Sequence, residues 1–252
     1  MSRRTRQMRR AEVLERLREQ LARGPGPRAA ARADPGAAAA RRRLRAWQLA
    51  RLAHTHADLL ASPRFGRAAA FCISDLYSIE EPADRDAQVE SAAPLVMATL
   101  PTPALETVAD AVELDAIAET LDMAMVRALG DRLAPEAPEL EYLAYGDAYR
   151  TVGEREQRQR QINLIEDLGH ALQRLVRKPF IGLALKVMHG PANLAGYGAL
   201  QDVLERGYAG IRGVDDIDEF LELIVTRERR LSESLFAGDN SWLSWTPPSE
   251  SV

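Results

Sequence analysis

Cysteine is almost missing. The 252 residues hold one, Cys72, which excludes an internal disulfide and any cluster of cysteine metal ligands within one chain. A reducing compartment fits, so the expected location is cytoplasmic. Lysine is nearly as scarce: of 33 basic residues only Lys178 and Lys186 are not arginine, a bias that goes with a GC-rich bacterial genome. Aromatic residues make up 6% while Ala and Leu abound. Such cores are built from closely approaching helices rather than sheets. No apolar run reaches the roughly 18–20 residues that span a bilayer, so no transmembrane segment is expected. Alternating β-branched runs with hairpin turns are absent, and so is any fixed-period repeat. The opening MSRRTRQMRR carries twin arginines, but no apolar stretch follows them, so an export signal is not expected.

What is present is a core-sized apolar content, 46%, enough for one domain with tails. The formal net charge of -4 hides a split. Through Arg51 the chain has 15 arginines against Glu12, Glu15, Glu19 and Asp34, so the remainder is strongly acidic. A basic arm on an acidic body points to nucleic acid or anionic lipid as partner. It equally fits an arm that packs on its own acidic body, and the lack of interleaved aromatics for base stacking favours that.

Helical periodicity runs through the body. Residues 10–23 form a short amphipathic helix (Val13, Leu14, Leu17, Leu21), and the Gly/Pro/Ala-rich 24–40 reads as a linker. Helices are expected over 42–61 (with Leu49, Leu52, Ala53, His56 and Leu60 inward), 64–77, 82–98, 103–128, 139–151, 154–177 and 191–211, and from Asp215 to Ala237, with a short apolar one between Pro179 and Gly190. The fold class is all-α, a single bundle of about eight helices. Its domain map is a basic arm and linker over 1–40, a helical domain over 41–237, and a tail over 238–252 that carries Trp242 and Trp245.

The block PRFGRAAAFCISDLYSIEEPADRDAQVE at 63–90 resembles the signature of an uncharacterised bacterial family named for its FFLEE motif. The likeness extends through YGDAYR at 145–150, the Arg/Gln-rich helix start at 158–161 and GPANLAGYGALQDVLERGY at 190–208. Asp75, Leu76, Tyr77, Arg85 and Asp86 match that family's pattern. Cys72 replaces its second Phe, and Ser74 stands where an acid is usual. The resemblance covers about Arg41 to Ala237. It implies a self-contained helical domain and no established activity.

Several polar groups stand out as a candidate ligand-binding or structural cluster. Arg85 is placed to fold back on Asp75 as a bidentate pair, near Tyr77 and Asp86. Helix 103–128 carries two apolar stripes on opposite sides, Leu105/Val108/Ala109/Val112 and Leu114/Ile117/Leu121/Met125. It therefore packs on different sides at its two ends, with Glu113 at the crossover as a partly buried acid. Arg85, Arg150 and His170 are its expected partners. Tyr142, Tyr145, Tyr149 and Arg150 share one side of their helix and, as a polar-tipped aromatic face, are expected at a pocket edge. Cys72 reads as an inert core thiol and His56 as a core histidine. The run GPANLAGYGAL is no phosphate loop; Ala192, Gly196 and Ala199 let helices approach, or line an acyl-chain cavity. No catalytic residue, metal or cofactor is assigned. The leading expectation is a helical protein that binds a small molecule or a protein partner. The alternatives are an enzyme with a buried carboxylate, metal-assisted through Glu113, Glu166 and His170, and an adaptor acting through its arginine-rich arm.

Overall fold

The computed structural model describes residues 3–23, 34–75, 91, 93–94, 97–98, 100–194 and 198–239. Among them there is no strand, and the fold is all-α. Capping residues and glycines explain several boundaries. Helix α1 spans Arg3–Arg23 and α2 spans Pro35–Thr55. Asp34 caps α2, its carboxylate accepting from Gly36 N at 2.8 Å, and Pro35 takes the first position. The alanine run read as linker is thus the first turns of a helix, as expected of the best helix former once a cap precedes it. Helix α3 (Ala57–Ala61) stops at Ser62, whose hydroxyl accepts from Arg64 N and Phe65 N. Helix α4 (Gly66–Ala70) passes into a π-helical turn at Phe71–Asp75. The remaining helices are α5 (Thr102–Leu129), α6 (Tyr142–Val152), α7 (Arg155–Val176), α8 (Pro179–Leu194), α9 (Gly198–Arg212) and α10 (Ile217–Ala237). Gly130, Gly153 and Gly238 end α5, α6 and α10 at positive φ, where a side chain would be strained.

Helix α5 is continuous and packs on two sides. Its first half buries Leu105 and Ala109 against Val13 and Leu17 of α1. Its second half buries Met125 and Leu129 with Leu44 and Trp47 of α2, Tyr145 and Tyr149 of α6, and Leu235 of α10. A separate cluster joins Leu59, Phe65 and Ala68 to Phe220 and Leu221. Helix α1 is docked by charge as well: Arg16 donates to Asp110 at 2.7 Å, Arg9 to Glu106, and Arg10 to the carbonyls of Leu100 and Met97.

The stripe expected on α2 needs correction. Leu49, Leu52 and Ala53 are only half-buried, whereas Arg45 and Gln48 are fully buried beside Leu44 and Trp47. The polar face of this helix turns inward because acids of α5 meet it there.

Candidate functional site

Arg41, Arg45, Gln48 and Arg51 recur every three or four residues, so they lie along one face of α2. Opposite them, α5 presents Glu119 and Asp122, 1% and 3% exposed. Arg45 bridges both: Nε donates to Asp122 at 2.9 Å and Nη2 to Glu119 at 3.0 Å. Arg41 donates to the same Glu119 oxygen, and Gln48 Nε2 donates to Asp122 at 3.2 Å. Farther along, Arg51 holds Glu228 of α10 through Nη1, at 2.6 and 2.8 Å from its two oxygens. His56 Nε2 lies 3.0 Å from Glu228 as well. Facing a carboxylate, that nitrogen carries a proton.

Burial and pairing pull these acids in opposite directions. Burial pushes the Asp122 carboxyl above its ordinary value, against the pull of Arg45 and Gln48. Burial acts the same way on Glu228, but the Arg51 charge and the His56 hydrogen bond overcome it and hold the group down at about 2.

The seam opens on a cavity of about 70 Å³ between α2, α5, α6, α7 and α10. Gln48, Arg51, Asp122, Tyr149, Arg158 and Glu228 provide its polar wall, with Met125 and Ile162 among its apolar lining. Arg158 is 6% exposed. Its guanidinium lies 3.6 Å from the centre of the Tyr149 ring, and its Nε donates to Gly153 O at 3.2 Å. Its Nη2 is buried and has no hydrogen-bond partner; neither has Gln48 Oε1. The Gln48 orientation is fixed, because the amide nitrogen must face the Asp122 carboxylate. One free donor and one free acceptor therefore border the same small space.

Of the residues singled out in sequence, Tyr145 and Tyr149 line this cavity. Tyr145 stacks on Trp47 with centroids 4.2 Å apart, and the Tyr149 hydroxyl lies 2.9 Å from Ser232 Oγ. Arg150 points away, donating to Leu235 O at 3.1 Å and pairing with Asp147. Glu113 is part-buried as expected, but its partners differ from those expected. Arg160 holds it with two bonds at 2.7 and 3.0 Å, and Gln20 of α1 adds a third. Arg160 lies nearly three turns of α7 before the expected His170, and α1, read as an arm, supplies the rest. Tyr77, Arg85, Asp86 and the side chain of Asp75 lie outside the described residues, as do the side chains of Ala192, Gly196 and Ala199. Among the described residues, close approaches occur at Gly169 against Leu221, Gly182 against Tyr208 and Gly207 against Phe71, among others. Burial pushes the Cys72 thiol up to about 12, as befits an inert group.

Glu113, Glu166 and His170 do not converge. Glu166 pairs with Arg229 at 2.9 Å and His170 faces Asp218 at 3.4 Å. Among the described residues, His189, Asp202 and Glu205 bring their ligand atoms within 4.8 Å of one another, at the surface between α8 and α9. The sequence signal for the seam was available in the spacing of Arg41, Arg45 and Gln48 against Glu119 and Asp122. It was masked because the helix over 42–61 was read by its apolar stripe, Leu49, Leu52, Ala53, His56 and Leu60.

Residues 27–242 match the family model described as Domain of unknown function (DUF8198). The chain belongs to that family. No curated protein and no solved structure matches it. The matched span includes every helix that borders the cavity and omits α1.

Proposed function

We propose that the protein binds a small carboxylate bearing a hydroxyl or amino group, held in the cavity between α2 and α7. The observation that carries this is the unpartnered Arg158 Nη2, on a guanidinium over the Tyr149 ring, in a cavity that the side chain of Gln48, with its free Oε1, also lines. Buried polar atoms are nearly always paired, so two free ones of opposite kind on one cavity call for a ligand with an acceptor and a donor. The charge agrees. Arg41, Arg45, Arg51 and Arg158 outnumber Glu119, Asp122 and Glu228 by one in this region, which favours an anion. At about 30 Å³ per water, 70 Å³ holds about two waters, or a molecule of the size of glycolate.

Binding fits the site better than acid–base chemistry does. A carboxylate held at about 2, as Glu228 is, makes a poor proton acceptor near neutral pH. A bacterial, cytoplasmic setting is part of the same proposal. It rests on the single cysteine, the arginine bias and the likeness to the FFLEE-motif family. Family membership alone brings no activity with it.

The test is a thermal shift of the full chain with acetate, glycolate and glycine at fixed ionic strength, beside native mass spectrometry of the protein as purified. Glycolate at a hundredfold its Kd is expected to stabilise by about 2.7 kcal/mol. Acetate, which lacks the donor for Gln48, should stabilise less, and Arg158→Gln should abolish the effect while keeping the helical spectrum. No shift with any of the three, together with a bare chain mass, would show that the cavity holds only water.

A further inference from the structure

We propose that the outer face of α8 docks on an anionic membrane surface. The chain carries no acid between Asp167 and Asp202, a window of 34 residues in a protein whose net charge is -4. That window holds both lysines, together with Arg174 and Arg177. Helix α8 lies within it. Phe180, Leu183 and Val187 are 60%, 64% and 64% exposed, and their spacing puts them on one stripe of the helix. Lys178, immediately before the helix, and Lys186, next to Val187 in sequence, are exposed too. The opposite side of α8 is already occupied by α9: Gly182 sits against Tyr208, and Gln201 Nε2 donates to Leu185 O at 2.7 Å. The stripe therefore faces away from the protein.

The occupant follows from shape and charge. Three protruding apolar side chains make a ridge, and a ridge offers no pocket for the anchor residues of a folded partner. A lipid interface conforms to a ridge, takes its apolar side chains to the acyl boundary, and attracts flanking lysines through its headgroups. Sixteen residues of helix measure about 24 Å, short of the roughly 30 Å hydrocarbon core, and no described helix is long and apolar enough to cross a membrane. Helix α8 thus lies on the surface. In the arginine-rich N-terminus, the other basic region, Arg9, Arg10 and Arg16 are engaged on α5 and its approach. This inference is independent of the cavity, and its test does not depend on any ligand.

The experiment is flotation of the full chain with vesicles of phosphatidylcholine alone or with about 30% phosphatidylserine. Binding should require phosphatidylserine and fall steeply as salt rises from about 0.1 M to about 1 M, where the Debye length drops from about 10 to about 3 Å. Lys178→Glu with Lys186→Glu should weaken binding more than 10-fold, at about fivefold for each lysine lost. Phe180→Ser with Leu183→Ser and Val187→Ser should abolish it without lowering Tm, since all three side chains are exposed. Lack of binding to either vesicle, or binding that survives the lysine reversal, overturns the proposal. So does a wild-type dimer by light scattering that the triple serine variant converts to monomer, because a second copy would then cover the stripe.

Discussion

Replacing Arg45 by Met is the sharpest probe of the buried seam. The side chain is 8% exposed and its guanidinium ties Asp122 of α5 to Glu119 one turn away. Met fills much of the same volume, so packing loss is small and the effect reports on charge. Asp122 would keep only Gln48, at 3.2 Å, while staying buried. Glu119 would keep Arg41. Breaking one partner out of a buried pair costs about 3–5 kcal/mol, because the remaining charge has lost its counter-charge and cannot reach water. For a chain of this length that lowers Tm by about 6–20 °C. The pH dependence gives a second readout. Burial already raises the Asp122 carboxyl, and loss of Arg45 raises it further. A carboxyl raised in the folded state binds its proton more readily there than in the unfolded chain. Its penalty is therefore greatest near neutral pH and is released as pH falls toward the ordinary aspartate range. Urea unfolding of wild type and Arg45→Met, followed by circular dichroism at pH 7 and pH 5, measures both quantities. A deficit below about 1 kcal/mol, or one that stays constant between the two pH values, would refute the claim that these charges are desolvated and mutually dependent.

Glu228 predicts the opposite pH trend. A folded value near 2 against an ordinary 4.5 corresponds to about 3 kcal/mol of stability at neutral pH, kept above about 4.5 and lost as pH falls toward 2. The urea-midpoint difference between wild type and Glu228→Gln should therefore shrink over that window; a flat difference would mean that Arg51 and His56 do not hold the carboxylate. Gly207→Ala would place a Cβ 2.6 Å from the Phe71 ring and should cost about 1–3 kcal/mol. Gly190→Ala, with nothing within 4 Å, should instead gain up to about 1 kcal/mol from helix propensity, and equal melting temperatures for the two would contradict the close approach of α9 to Phe71.

Much of the helical layout was legible in sequence because prolines, glycines and capping residues mark it directly, although Gly190-Pro191, expected to separate two helices, lies inside α8, which runs on to Leu194. The opposed stripes of α5 were legible too, since Leu105/Ala109 and Leu121/Met125 differ by half a turn of the helix. The inward face of α2 was not. Periodicity finds buried apolar residues, and here Arg45 and Gln48 are buried through ion pairs with residues more than seventy positions away. Nothing local distinguishes an arginine facing Asp122 from one facing water. The start of α2 was missed for a related reason: the alanine run resembles a linker until Asp34 is recognised as its cap. Arg158 was visible only as part of an Arg/Gln-rich helix start, and its setting over Tyr149 is a tertiary fact.

The charge split of the chain now has a physical account. Arginines before residue 52 neutralise acids after residue 105: Arg9 with Glu106, Arg16 with Asp110, Arg41 and Arg45 with Glu119 and Asp122, Arg51 with Glu228. The basic segment is the counter-charge of the body, folded back on it, so the split does not by itself point to nucleic acid. Such a seam, if it closed completely, would be structural and nothing more. It does not close: among the described residues several buried polar atoms of the network lack a partner, and two of them, Arg158 Nη2 and Gln48 Oε1, belong to side chains that line one cavity. A donor and an acceptor left free on the lining of the same small space are the feature on which the proposed binding of a partner from outside the chain rests.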